Sequence, residues 1–137
     1  MPVAAIDTNI LIRFLVEDDA AQLAQVERLI TAAVRAGDTL YVPITVALEL
    51  EWVLRSNFGF NKSTVVQTLQ ALLSTTELSF ESEPAIEFAL LMFEDAQTVK
   101  ADFSDCLHIA LAHKAGQTPL WTFDKAAAKV AGARLLS

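Results

Sequence analysis

Short apolar runs alternate along the chain with longer stretches in which apolar residues recur every three or four positions. The short runs predict a buried strand at 3–7, further strands at 40–43, 77–80 and 119–122, and an edge strand at 133–136. The longer stretches predict helices at 8–17, from about 20 to 35, at 46–57, at 62–73, from 84 onward, at 102–115 and at 125–130. Thr45 and Asn61 stand directly before two of these helices and are predicted to be their N-caps.

Strands that alternate with helices form parallel βαβ units, because a parallel strand pair needs a long crossover connection. The predicted fold is therefore α/β, a three-layer α/β/α sandwich around a central and mostly parallel sheet. No linker, repeat or low-complexity stretch interrupts residues 1–137, so the chain is predicted to form one domain.

The composition describes an acidic chain with enough apolar residues for a core. Of the 137 residues, 53% are hydrophobic and 20% are charged, and the formal net charge is −7. This charge disfavours tight non-specific binding of duplex nucleic acid, which depends on basic surface, but it does not exclude a nuclease. Cys106 is the single cysteine, so an intramolecular disulfide is excluded. No apolar run is long enough to span a bilayer, and Asp7 comes too early for a secretory leader, so we expect a soluble, cytoplasmic protein.

Four acidic residues interrupt segments that are otherwise apolar. They are Asp7, Glu49, Asp105 and Asp124. An isolated carboxylate is costly to bury, so such groups are usually paired or bound to a metal ion. Carboxylate oxygens suit hard divalent cations such as Mg²⁺ or Mn²⁺. The pattern therefore indicates metal-assisted phosphoryl chemistry.

The predicted elements give a reason for these acids to meet. Asp7 and Asp124 each follow a strand, whereas Glu49 and Asp105 each lie in the first turns of a helix. In parallel α/β sheets the functional crevice lies beyond the carboxyl ends of the strands, where all four would converge. Simpler alternatives remain open at this point: Asp7 and Asp124 also suit helix caps, and Glu49 also suits an ordinary surface position.

Polar residues next to the four acids are expected to lie at the same crevice. Thr8 or Asn9 suits helix capping, and Asn9 also suits a hydrogen bond to a metal-bound water or to a carboxylate. Thr122 adds a hydroxyl beside Asp124. Asp102 lies three residues before Asp105 and therefore shares its helix face. The face continues to His108, which is predicted to be a polar group at the edge of the core, and Cys106 is predicted to be a core residue. Glu51 precedes Arg55 by four residues, the spacing of a solvated surface pair.

The order of these motifs resembles that of the PIN-domain ribonucleases and, more narrowly, of the VapC-type toxins of bacterial toxin–antitoxin pairs. The matching motifs are Asp7-Thr8-Asn9, residues 46–50 around Glu49, Asp102-Phe103-Ser104-Asp105 with Leu107, and Thr122-Phe123-Asp124. Each motif is short, and their order and spacing in a chain of this length carry the resemblance.

The resemblance implies an Mg²⁺- or Mn²⁺-dependent endoribonuclease that forms a homodimer and is held inactive by a cognate antitoxin. It places the catalytic acids at Asp7, Glu49, Asp105 and Asp124. The metal ligands among them are expected to be Asp7, Asp105 and Asp124. Thr122 is implied as a supporting residue, and Asp102 is a further acid that matches less closely.

Three other classes of function compete with this interpretation. A phosphatase of the haloacid dehalogenase type is a metal-using α/β enzyme, but it needs a second aspartate two residues after the first, where this chain has Asn9. A catalytically inactive PIN-like module that binds protein partners would also explain the high apolar content. A receiver-type regulator fits less well, because it has no use for a glutamate at the position of Glu49.

Overall fold

A computed structural model of the chain describes residues 2–95 and 100–137, in which five strands and six α-helices follow one another. The strands are β1 (Pro2–Ala5), β2 (Thr39–Val42), β3 (Leu78–Phe80), β4 (Leu120–Thr122) and β5 (Ala133–Leu135). The helices are α1 (Thr8–Val16), α2 (Ala20–Arg35), α3 (Ile44–Phe58), α4 (Lys62–Leu73), α5 (Glu83–Glu94) and α6 (Phe103–Lys114). A short 3₁₀ helix, Ala127–Lys129, lies where a short α-helix was predicted.

All of the strand pairs are parallel, which confirms the predicted α/β class. Strand β2 lies between β1 and β3, with Leu40 opposite both Ala4 and Leu78. Strands β4 and β5 pair separately, with Trp121 opposite Arg134. Within the described residues the hydrogen bonding thus gives a three-stranded and a two-stranded sheet, where one continuous sheet was expected.

Strand β1 differs from its prediction as a buried strand. Ala4 and Ala5 are exposed, and Ile6, just beyond the strand, is buried. The reason is the position of β1 at the end of its sheet, where it pairs with β2 on one side. The prediction of burial is therefore wrong for Ala4 and Ala5.

Side-chain caps define several helix starts, as local sequence signals predict. Asn61 accepts a hydrogen bond from the Thr64 amide at 2.8 Å, which confirms it as the N-cap of α4. Thr45, in contrast, lies inside α3, whose N-cap is Pro43, so its predicted capping role is wrong. The amide of Ile44 donates to Oε1 of Glu81 at 2.8 Å instead. A carboxylate just after β3 thus satisfies the start of α3.

The core forms where the helices pack on one another and on the strands. Helix α3 contacts α1, α4 and α6, and α6 also packs against α5 and β4. The largest fully buried apolar side chains include Leu11, Leu40, Leu50, Leu54, Leu69, Ile86, Leu90, Phe103 and Ile109. In the described part of the chain, no helix has the length and apolar character needed to cross a bilayer.

Candidate functional site

The start of α1 is joined to α3 through a side-chain hydrogen bond. Thr8, buried at the first position of α1, donates its hydroxyl hydrogen to Oε1 of Glu49. The preceding residue, Asp7, is the N-cap, and its Oδ1 accepts from the Ile10 amide at 3.2 Å. Asp7 therefore caps the helix itself, which the sequence left open, and Oδ2 is not used in that cap. The start of α1 thus places one acid, Asp7, and orients another, Glu49.

Helix α3 separates its two acids, because positions two residues apart point in different directions. Glu49 is exposed, whereas Glu51 is only 2% exposed. Glu51 forms an ion pair with Arg55, in which Nη2 of Arg55 lies 3.2 Å from Oε1 and Nε contacts Oε2. This pair was predicted to be a solvated surface pair, and that prediction is wrong. Glu51 lies on the same helix stripe as the buried residues Ala47, Leu50 and Leu54.

The first turn of α6 brings two aspartates together. Asp102 is the N-cap of the helix, and its amide donates to Oδ2 of Asp105 at 3.4 Å. Burial raises the pKa of the Asp105 carboxyl, and the negative charges of Asp124 and Asp102 raise it further, while the hydrogen bond from the Asp102 amide and the charge of His108 oppose the rise. Asp105 therefore lies near acids from its own helix and from the segment after β4.

Asp124 is held by the backbone of the turn that follows β4. Its Oδ1 accepts from the amides of Ala126 and Ala127 at 2.8 and 3.1 Å. The hydroxyl oxygen of Thr122 accepts from the Asp124 amide at 2.9 Å. Asp124 thus holds the turn that precedes the 3₁₀ helix, but the N-cap of that helix is Ala126, so the helix-capping role considered for Asp124 is wrong. Thr122 fixes the backbone of this acid.

The acids form a chain of neighbours that starts at α1. The Thr8–Glu49 hydrogen bond links α1 to α3, and Glu49 and Asp102 line one pocket of about 290 Å³ between α3 and α6. The negative charges of Asp124 and Asp102 both raise the pKa of Asp105. Asp7 and Asn9 open instead onto a groove of about 320 Å³ between α1 and α2, which they share with Arg13.

The acids are mostly exposed and are less tightly grouped than the sequence indicated. Asp7, Glu49 and Asp124 are exposed, and Asp105 is half-buried. Across residues 2–95 and 100–137, no set of three or more acidic, histidine or cysteine side chains is placed to hold a metal ion. The arrangement gives neighbouring acids in small groups, with Glu49 near Asp102 and with Asp105 near Asp102 and Asp124.

Two further predictions concern α6. Cys106 is fully buried, which confirms it as a core residue, and burial raises the pKa of its thiol to about 11. His108 is exposed, so its prediction as a residue at the edge of the core is wrong. Its contribution at the site is the electrostatic effect on Asp105.

Sequence reasoning also missed two features of this region. The exposed Trp52 lines the pocket with Glu49 and Asp102, and its position three residues after Glu49 was a signal that placed it on the same face. The hydrogen bond between Thr8 and Glu49 spans 41 residues and had no local signal.

Comparison with known proteins identifies what this arrangement resembles. The family model of the PIN domain matches residues 4–133. The chain is also 23% identical over 120 residues to a protein of Aquifex aeolicus (strain VF5) that is described as a VapC ribonuclease. That alignment covers 88% of this chain and 86% of the Aquifex protein.

Proposed function

The chain belongs to the PIN domain family, and from this membership we propose that it is an Mg²⁺- or Mn²⁺-dependent endoribonuclease, the toxin of a type II toxin–antitoxin pair. Its reaction is the hydrolysis of RNA phosphodiester bonds. The Aquifex relative, which is described as a VapC ribonuclease, aligns over most of both chains and supports this reaction class.

The observation that carries the proposal is the succession of acids from three separate segments, α3, α6 and the turn after β4, to which Thr8 joins the start of α1. Thr8 contacts Glu49, Glu49 and Asp102 share a pocket, and Asp105 lies within electrostatic reach of Asp102 and Asp124. Repulsion among neighbouring carboxylates is relieved by protonation or by a cation. A succession of neighbouring acids therefore favours cation-assisted chemistry over a purely structural role.

The chemistry of these side chains fits a hard divalent cation, because every donor is a carboxylate, hydroxyl or amide oxygen. We assign Asp7, Asp105 and Asp124 as the metal ligands. Since no three of the described acids are grouped as a metal site, binding requires the side chains to move toward one another. A bound ion would supply positive charge to the phosphate oxygens and would activate water as the nucleophile.

The residues around these ligands orient the reacting groups. Thr8 holds Oε1 of Glu49, so that Oε2 is available to orient a water molecule for in-line attack. The amides of Ala126 and Ala127 hold Oδ1 of Asp124, and Oδ2 is available to a cation. Preorganisation of this kind reduces the movement needed at the moment of reaction.

Asn9, Asp102 and Thr122 complete the proposed site. Thr122 fixes the Asp124 backbone, and the Asp102 amide contacts Asp105. Asn9 lies beside Asp7 in the α1–α2 groove, where its amide can hydrogen-bond a water or the RNA. These residues position the acids and are assigned no proton transfer.

Cleavage of RNA by the purified, partner-free protein tests the reaction. We expect single-stranded RNA to be cut with Mg²⁺ or Mn²⁺, not with EDTA, and not by the Asp105→Asn variant. Cleavage that persists in Asp105→Asn with unchanged metal dependence would remove Asp105 from the catalytic set. Absence of cleavage by the wild-type protein on a broad RNA panel would favour the inactive interaction module. Hydrolysis of p-nitrophenyl phosphate in place of RNA would favour the phosphatase.

The biological part of the proposal includes a cognate antitoxin, a homodimer and a cytoplasmic location. Expression of the chain alone is expected to arrest growth, and co-expression of its genomic neighbour is expected to restore it. The Asp7→Asn variant should not arrest growth even without the neighbour. Light scattering of the purified protein tests the dimer, and a monomeric mass at all concentrations would contradict it.

A further inference from the structure

The pocket between α3 and α6 combines acids with an aromatic face. Glu49 and Trp52 are three residues apart on α3 and therefore lie on adjacent turns of one face. Asp102 and Ser104 form the opposite wall at the start of α6. At about 290 Å³, the pocket is at the lower end of the ~300–1,000 Å³ of small-molecule sites, a size that suits one planar group.

Trp52 is exposed although it is a large apolar side chain. Its exposed fraction is 56%, close to the 54% of Trp121, the second tryptophan of the chain. A single exposed aromatic residue is common on protein surfaces and implies nothing by itself. Trp52 differs from Trp121 because it lines the same pocket as Glu49, an acid of the proposed catalytic set.

Trp121 has different surroundings. The guanidinium of Arg134 lies 5.5 Å from the centroid of the Trp121 ring. Because side chains alternate along a strand, Trp121 lies on the opposite face of β4 from Thr122. The two tryptophans are thus matched in exposure but differ in their relation to the site.

The charges in the pocket distinguish a base from a phosphate. Glu49 and Asp102 line it with acidic groups, which repel phosphate. Arg55, the cation of the lining, is already paired with Glu51. A nucleobase is uncharged, can stack on an indole, and can donate from its amino or imino groups to carboxylates.

We propose that Trp52 is the stacking platform for one unpaired nucleobase of the RNA substrate, next to the nucleotide whose phosphate reacts at the acids. This inference rests on the proposed ribonuclease function. It names the substrate class as single-stranded RNA, since a base is free to stack on a side chain only where it is not stacked within a helix. Glu49 then connects the pocket that contains Trp52 with the proposed catalytic acids, because it lines that pocket and is itself one of those acids.

The size of the effect follows from stacking energies. Base–aromatic stacking measured by alanine substitution corresponds to about 5-fold to about 150-fold in affinity per base. Trp52→Ala should therefore lower kcat/KM for single-stranded RNA by about that factor, mainly through KM. Trp52→Phe keeps an aromatic face and should retain most of the wild-type value. Trp121→Ala should leave kcat/KM unchanged.

Tryptophan fluorescence measures the contact without relying on cleavage. The chain has two tryptophans, so Trp121→Phe leaves Trp52 as the single emitter and Trp52→Phe leaves Trp121. Each variant is mixed with a single-stranded oligoribonucleotide and Mg²⁺ in a stopped-flow instrument, where binding is recorded before cleavage. We expect quenching in the Trp52 emitter and little change in the Trp121 emitter. An oligonucleotide of abasic residues should produce no quenching.

The two readouts separate failure of this inference from failure of the proposed function. If the wild-type protein cleaves RNA but neither quenching nor the effect of Trp52→Ala is found, the stacking role is overturned and the ribonuclease stands. If RNA quenches Trp52 but is never cleaved, base binding is supported and the hydrolytic function fails. If Trp52→Ala alters only the oligomeric mass, Trp52 belongs to a protein interface and the inference is overturned. Matching circular dichroism spectra and Tm values verify that each variant is folded.

Discussion

Thr8 and Glu49 are 41 residues apart in the chain, and the hydroxyl of Thr8 donates a hydrogen bond to the carboxylate of Glu49. Thr8 is buried and is the first residue of α1, whereas Glu49 is exposed on α3. A short, rigid and buried donor thus holds a long and otherwise mobile side chain. Because Asp7 directly precedes Thr8, the bond also relates two of the proposed catalytic acids to each other.

Replacement of Thr8 by valine removes the hydroxyl and preserves the shape of the side chain. We expect the free energy of unfolding to fall by about 1 kcal/mol, the usual net value of one hydrogen bond. RNA cleavage should fall by about 10-fold, as is typical when a partner that orients a site residue is lost. Thr8→Ser retains the hydroxyl and should preserve activity. Equal activity of the valine and serine variants would show that the bond does not orient Glu49.

The buried pair of Glu51 and Arg55 predicts a strongly non-additive double-mutant cycle. Arg55→Met leaves the carboxylate of Glu51 buried without its partner and should cost about 3 kcal/mol. Glu51→Gln combined with Arg55→Met should cost less than Arg55→Met alone, because the buried charge is removed. Urea denaturation of the four proteins measures both quantities. Additive free energies would contradict a coupled pair.

The raised pKa of Asp105 predicts how stability depends on pH. Burial raises this pKa above its ordinary value of 3.8, so the charged form is disfavoured in the folded protein. The stability that Asp105 contributes is fully present when the pH is below its ordinary pKa in the unfolded chain. That stability is lost as the pH rises through the raised pKa of the folded protein. Asp105→Asn removes the charge, so in EDTA it should raise the Tm at pH 7 and have little effect near pH 3. A lower Tm than wild type at pH 7 would contradict the prediction.

Divalent metal should stabilise the wild-type protein by mass action. A ligand at 100 times its Kd adds about 2.7 kcal/mol to the free energy of unfolding. Thermal melts should therefore show a Tm that rises with Mg²⁺ and returns to its starting value with excess EDTA. The response should be much smaller in Asp7→Asn. Equal responses of the two proteins would remove Asp7 from the proposed ligands.

Cys106 should be inert toward thiol reagents while the protein is folded. Burial raises the pKa of its thiol to about 11, and the charge of Asp105 contributes to the shift. The thiolate is the reactive form, and at pH 8 roughly one molecule in a thousand carries it. A colorimetric disulfide reagent should react slowly with native protein and rapidly in denaturant, and Cys106→Ala should not react in either. Rapid reaction of native protein would contradict this environment.

Local signals predicted the secondary structure well. The start of α1 at Thr8 and the Asn61 cap of α4 each depend on neighbours within one turn, which the sequence displays directly. The same reasoning failed at Thr45, because Glu81, from the segment after β3, provides the acceptor for the start of α3. A partner 37 residues away has no local sequence signal.

The prediction that Glu51 lies at the surface was wrong, although the sequence also contained a pattern that indicated its burial. Its spacing to Arg55 favoured a surface pair, but its spacing to Ala47 and Leu54 placed it on the buried stripe of α3. The two patterns conflict, and burial of Glu51 prevailed because Arg55, whose side chain stays 32% exposed, pairs with it and neutralises its charge. The exposure of Ala4 had a different cause, since it depends on the position of β1 at the end of its sheet.

The three proposed metal ligands also help to hold the backbone. Asp7, Asp105 and Asp124 each accept a hydrogen bond from a main-chain amide at the start of a helix or turn. Alanine scanning would delete charge and acceptor together and would cost roughly 0.5–2 kcal/mol wherever a cap is lost. Reduced activity in such a scan would therefore have two inseparable causes, local unfolding of the helix end and loss of the catalytic charge. Amide replacements keep the acceptor, and only they assign the defect to the missing charge.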